Sequence, residues 1–139
     1  MKLFTFISTG AFIVLSSFIM KKGNTDQSES LYENKWSLKK IHTGITVPDM
    51  SSKTFISFDQ EKKRAGGNGG CNSFGGSLIV INDLISISHI FSTKMFCEET
   101  QQAEDAFFKQ LEKVNRFEIK GKTLMLYRDK ELLLEFMSE

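Results

Sequence analysis

The chain has 139 residues, of which 40% are hydrophobic and 25% charged, with a formal net charge of +1. That length and balance suit one globular domain and give no sign of disorder or of a second domain. Residues 1–22 hold Lys2, Lys21 and Lys22 and no acid, so the remainder falls from +1 to −2, which argues against nucleic acid as a partner.

Residues 1–20, MKLFTFISTGAFIVLSSFIM, place one cation before an apolar run, the composition of a secretory signal. Residues 1–22 are therefore read as an export signal, with an uncleaved membrane anchor over residues 3–20 as the alternative, since Lys21 and Lys22 follow directly. No A-x-A site is present, and Ser28 and Ser30 lie far downstream, so export is better supported than cleavage. There is no cysteine after the run to take a lipid. Residues 23–35 are mostly polar without a periodic apolar pattern and predict a flexible leader. The folded domain is expected over residues 36–137.

From Trp36 the pattern is one of short strands. WSLKKIHT sets Trp36 and Leu38 on one side, and TFISFD sets Ile56 and Phe58 on one face. SLIVI and LISISHI, joined by Asn82-Asp83, predict a hairpin, with Ile85 and Ile87 on the buried face and His89 at the strand's end. A helix is predicted in EETQQAEDAFFKQLEKV, where Ala103, Phe107, Leu111 and Val114 recur at helical spacing. RFEIK, TLMLY and ELLLEF follow as strands linked by tight turns, with Leu132, Leu134 and Phe136 facing inward in the last. The sum is an α+β fold: a strongly curved antiparallel sheet or incomplete β-barrel of seven to eight short strands wrapping one helix.

Five glycines fall between residues 66 and 76, in GGNGGCNSFGG. No phosphate-loop pattern can be drawn through them, and the segment runs into a strand where a phosphate loop opens a helix, so it predicts a bulged strand and turn at a sheet bend. Cys71 and Cys97 are the only cysteines, and an isolated pair in an exported chain is a disulfide candidate. Two other uses stay open: Cys71 as a nucleophile with His42 or His89 as base, and a Cys2His2 zinc site, although neither residue type shows the close paired spacing zinc favours. STKMFCEE is read as a structural junction, with a ligand-contacting rim as the alternative and Thr93 placed to cap the turn. Glu98, Glu99, Glu104 and Asp105 read as a solvated helix face.

Taken together, W-x-L at Trp36 to Leu38, I-x-F at Ile56 to Phe58, G-C-N-x-F-x-G built on Gly70, Cys71, Asn72, Phe74 and Gly76, T-K-M-x-C built on Thr93, Lys94, Met95 and Cys97, and E-x-x-F-F in the helix resemble the META domain, the HslJ-like family of bacterial envelope proteins. The resemblance runs from about Trp36 to Phe136. Where the family pattern carries a tyrosine after the second glycine, this chain has Ser77 and Leu78. The resemblance implies an incomplete barrel around one helix, an envelope setting with stress phenotypes, a structural likeness to secretion pilot proteins that hold lipid or a partner peptide, and no reaction. The expected function is accordingly a non-enzymatic exported module in the periplasm or cell envelope. It would be stress-related or bind a lipid, an apolar peptide or an envelope protein, and it would need neither cofactor nor metal. The competing class is a thiol-dependent redox protein or enzyme using Cys71 and Cys97.

Overall fold

The computed structural model describes residues 25–43 and 53–139, so the export-or-anchor expectation for residues 1–22 lies outside the described residues. The chain runs α1 (Thr25–Glu33), β1 (Trp36–Ile41), β2 (Phe55–Asp59), β3 (Arg64–Asn68), β4 (Ser73–Ile81), β5 (Leu84–Ser92), α2 (Gln101–Leu111), β6 (Arg116–Lys120), β7 (Thr123–Arg128) and β8 (Glu131–Ser138). Each strand pairs antiparallel with the next, and β8 returns to β1 from Trp36↔Ser138 to Ile41↔Leu134, so the sheet closes on itself.

Closure is uneven. β4 and β5 share seven rungs, whereas β1 meets β2 at only two and β5 meets β6 at one, Leu84↔Arg116. The result is the strongly curved α+β sheet around a main helix that the patterning predicts. The β1–β8 seam is tied further at the chain's end, where Glu139 accepts hydrogen bonds from Lys35 Nζ at 2.8 Å and from Ser37 Oγ. These bonds, Lys35 first, hold the Glu139 carboxyl below the usual carboxylate range.

Alternation with period two explains which side chains fill the interior. Phe74 and Leu78 of β4, Ile85 and Ile87 of β5, Phe117 and Ile119 of β6, and Leu124 and Leu126 of β7 are buried. On α2, Ala103, Phe107 and Leu111 face inward, and Val114 is buried just past the helix end. The Phe107 ring stands edge-on to Phe74 at 5.6 Å and to Phe136 at 6.3 Å, so α2 is bolted to opposite sides of the ring. Trp36, Phe107, Phe117 and Phe136 are fully buried, and the barrel's interior is occupied by its own side chains.

Three local expectations are corrected. The leader expected over residues 23–35 contains helix α1, whose Leu31 is fully buried and whose Leu31 carbonyl accepts a hydrogen bond from the Trp36 indole at 3.0 Å. One buried leucine in a polar run leaves no periodicity to read. In β8 a register shift between Leu126 and Tyr127 turns Leu133 inward beside Leu134, leaving Leu132 half-buried. His89 does not end its strand: β5 continues to Ser92, and His89, at φ 51°, sits in a bulge opposite Gly76.

One glycine is sterically required by backbone and a second is closely packed by side chains. β3 lies so close to β2 that a Cβ on Gly67 would run into the Phe55 carbonyl oxygen. A Cβ on Gly69 would come within 2.7 Å of Phe108 Cζ and 2.8 Å of Glu104 Oε2. The glycine-rich segment is thus strand β3, a turn and the start of β4, as its pattern predicts.

Candidate functional site: a buried polar clasp

Between β3 and β4 the chain turns through Gly69, Gly70, Cys71 and Asn72. Gly70 adopts φ 119° and donates its N–H to Asn68 Oδ1 at 2.8 Å, while Gly69 N–H reaches the Asn72 carbonyl at 2.8 Å. This tight turn aims two successive amides, those of Cys71 and Asn72, at one point. Glu104 of α2 fills it: Oε2 accepts both N–H groups, at 2.8 and 2.7 Å, and Oε1 accepts Asn72 Nδ2 at 2.6 Å. The side chain is 1% exposed. A carboxyl group buried this deeply is held here by three hydrogen-bond donors.

Asn72, 4% exposed, uses its whole amide. Its Oδ1 accepts Thr93 Oγ1 at 2.8 Å and Met95 N–H at 2.7 Å, and its Nδ2 donates to Met95 O at 3.0 Å as well as to Glu104. The Cys71 and Cys97 sulfurs lie 1.95 Å apart, at disulfide distance, with their Cα atoms 5.9 Å apart. The clasp therefore joins three pieces distant in sequence: the glycine turn, the β5–α2 connection and α2 itself.

The motif residues divide by position. Cys71, Asn72, Thr93, Met95 and Cys97 meet in the clasp, with Gly70 forming its turn. Phe74 packs directly beneath, edge-on to Phe107 and to Phe108 at 5.3 Å. Gly76 lies opposite the β5 bulge, and Trp36 belongs to the α1–β1 corner. Lys94 turns outward to Ser92 Oγ at 3.3 Å, and the Met95 side chain is exposed even though its backbone is held. Thr93 serves its junction by donating to Asn72.

Glu104 corrects the reading of a solvated acidic face. The sequence carried a signal for it: Glu104, Phe107 and Leu111 are spaced by three and four, which sets Glu104 on the apolar side of α2. Its residue type argued the other way, because a glutamate is almost never buried without partners.

Both sulfurs are committed to each other. His42 Nε2 lies 2.7 Å from Glu135 Oε2 on the β1–β8 seam, and His89 Nδ1 lies 3.2 Å from Ser88 Oγ. Among the described residues no three His, Cys, Asp or Glu side chains gather as a metal site, and no helix is long and apolar enough to cross a membrane.

The surface carries two grooves of note. One, of about 660 Å³, runs past Tyr32, Asp59, Arg64, Gly75 and Phe91, and burial raises the Tyr32 phenol above its ordinary pKa. The other, of about 320 Å³ and mostly apolar, lies between Ile79, Ile81 and Leu84 on one side and Arg116 on the other.

The family model of the META domain matches residues 29–139, starting within α1. No curated protein matches the chain. Among solved structures, a protein from Burkholderia xenovorans determined by NMR is similar at 18% identity and a TM-score of 0.59, over 82% of this chain and 87% of that one. A DUF4847 family protein from Bacteroides vulgatus is similar at 12% identity and a TM-score of 0.58, over 80% of this chain and 96% of that one. A further protein solved by NMR is similar at 23% identity and a TM-score of 0.56, over 78% and 92%. At these identities the likeness is one of fold.

Proposed function

This chain belongs to the META domain family, and from that premise we propose that it acts as a non-enzymatic exported envelope module, stress-related or binding, that holds an apolar ligand or partner segment on its outer surface. The observation that carries the binding reading is a mismatch between inside and outside. The interior is filled by the protein's own aromatic and aliphatic side chains, yet Ile79, Ile81, Leu84, Phe91, Met95, Phe96 and Met137 are each more than two-fifths exposed. Ile79, Ile81 and Leu84 gather at the tip of the β4–β5 hairpin, and exposed apolar surface gathered in this way marks interaction sites.

The non-enzymatic part rests on the clasp. Its carboxylate, amide and hydroxyl are spent on one another, and its thiols are paired, so the polar groups best placed to do chemistry are already engaged in holding the fold.

Native mass spectrometry and thermal shift against lipids, envelope peptides and extract from the source cell test this reading. A retained ligand or partner, or a raised melting temperature, is the expected result. No ligand or partner in any of these would reduce the role to a purely structural one. Two free, fast-reacting thiols in the native protein would reinstate the thiol enzyme.

A further inference from the structure

β4 and β5 are the longest strands, nine residues each, and neither contains an Asp, Glu, Lys or Arg. Each of the other strands carries at least one. The outward rungs of this hairpin are Gly75↔Phe91, Ser77↔Ser88, Ile79↔Ser86 and Ile81↔Leu84. Its inward residues Leu78, Ile85 and Ile87 are at most 4% exposed, and with Phe74 they supply this hairpin's share of the core. Ile79, Ile81 and Leu84 are 59%, 60% and 56% exposed and add nothing to it. A long ribbon with no charged side chain, apolar at its tip, is what soluble proteins ordinarily break up with charge.

What surrounds the ribbon indicates its occupant. Arg116 borders the aliphatic groove, its guanidinium 4.1 Å over the Tyr127 ring, and Lys63 borders the other side of Ile79 together with Tyr32. The nearby Asp129 carboxylate is engaged by Asn115 Nδ2 at 2.9 Å. Aliphatic side chains at a hairpin tip, bordered by Arg116, Lys63 and two phenol rings and interrupted by the acid Asp83 in the turn, match the boundary between acyl chains and headgroups.

The chain outside the described residues supplies a second argument. The apolar run ends at Met20, five residues before Thr25 opens α1, and extended chain covers roughly 17 Å over that interval. From Thr25 to Tyr32, which shares a groove with Ile79, the helix rises roughly 10 Å. Any bilayer holding residues 3–20 is thus within reach of the hairpin.

We propose that the outer face of the β4–β5 hairpin docks on a lipid bilayer surface, with Ile79, Ile81 and Leu84 entering the headgroup–acyl boundary and Arg116 and Lys63 meeting lipid phosphate. The proposal rests on the envelope reading above and names its ligand class.

The test uses the full chain in vesicles of phosphatidylcholine and phosphatidylglycerol, with and without brominated acyl chains. A reporter is placed by Ile81→Trp in one protein and by Met137→Trp in another. Met137 is also exposed and apolar but lies on β8, three strands away, so it controls for indiscriminate adsorption. Trp36 is fully buried and provides a constant background measured in the parent chain.

The Ile81→Trp signal is expected to shift to shorter wavelength and lose roughly half its intensity to brominated lipid, with little change at position 137. Equal quenching at both positions, or none, overturns the proposal. So does an Ile81→Trp shift that follows protein concentration instead of lipid, which would assign the face to a second copy. If intact mass shows residues 1–22 removed in the source cell, the same variants of that mature chain are floated with the vesicles. Flotation with quenching at position 81 upholds the docking face. Absence of flotation overturns it while leaving the envelope reading to its own ligand test.

Discussion

The β4–β5 hairpin is fastened at one end and open at the other. At the Ser73–Ser92 end, Asn72, Thr93 and the Cys71–Cys97 pair lock the strands to α2 through Glu104. At the Ile81–Leu84 end, a single rung to β6, made by the backbone bonds from Ile85 N–H to Asn115 O and from Phe117 N–H to Asp83 O, holds the tip. The two ends differ in what they bury: the locked end buries a carboxylate and a carboxamide beneath exposed Phe91, Met95 and Phe96, and the open end buries no polar side chain and exposes three aliphatic ones. Departures from binary patterning concentrate where a protein specifies one arrangement or meets a partner. The locked end answers to the first purpose, and the proposed docking face would give the open end the second.

The largest effect should come from Glu104. Glu104→Ala strands two buried backbone amides and one Asn72 donor and leaves a void, and a cost of about 3–5 kcal/mol is expected in urea unfolding. A cost below about 1 kcal/mol would mean that the turn is held by its glycines and disulfide alone, and the contrast between the two ends would collapse.

Next comes the sulfur pair. Joint Cys71→Ser and Cys97→Ser substitution opens a 26-residue separation, for which loop entropy predicts a loss of about 3.5 kcal/mol as an upper figure. Because Cys71 N–H also donates to Glu104, the two perturbations should not add. A double-mutant cycle between the cysteine pair and Glu104→Ala is expected to show coupling of about 0.5–3 kcal/mol. Additivity would separate the covalent and polar parts of the clasp into independent devices.

Much of this was legible in the sequence. The Asn82-Asp83 turn, with Asn82 at φ 56°, and the turns at Gly121 and Asp129, both with positive φ, fall where residue type and spacing put them. The helix's inward face at Ala103, Phe107 and Leu111 follows from its period. What stayed hidden has a common cause. Leu133 turns inward and His89 is bulged out because register shifts by one residue, and such a shift depends on the partner strand rather than on local pattern. Glu104 is buried because a turn 33 residues earlier offers it two amides, a long-range satisfaction that no local window contains. The motif residues included Asn72, the cysteines and, as the first position of E-x-x-F-F, Glu104 itself, but its residue type read as solvated and nothing local showed what it joins.

A smaller effect probes the fit of the locked end. Gly69→Ala places a methyl against Phe108 Cζ and the Glu104 carboxylate, which is fixed by its three donors and cannot give way without losing them. Destabilisation of about 1–3 kcal/mol is expected, read as a lowered urea midpoint at unchanged slope. Full tolerance would show that Phe108, only partly buried, absorbs the change by turning outward.

The smallest effect belongs to the open end and tests the comparison from the other side. Ile79→Thr, Ile81→Thr and Leu84→Thr together remove the exposed aliphatic surface, with β-branched residues at all three positions, so strand preference is kept at 79 and 81 and not lowered at 84. No core contact depends on these side chains, since the inward rungs Leu78↔Ile87 and Val80↔Ile85 are untouched. The triple variant should therefore unfold within about 0.5 kcal/mol of the parent while losing its response to vesicles. A large loss of stability would mean that the tip is part of the fold's support, and its exposure would then need an explanation other than an interaction face. An unchanged fold with unchanged vesicle response would remove the lipid and leave the locked end intact. Only the pairing of near-zero stability change with lost binding keeps the two ends distinct: one conserving structure through buried polarity, the other offering apolar surface outward.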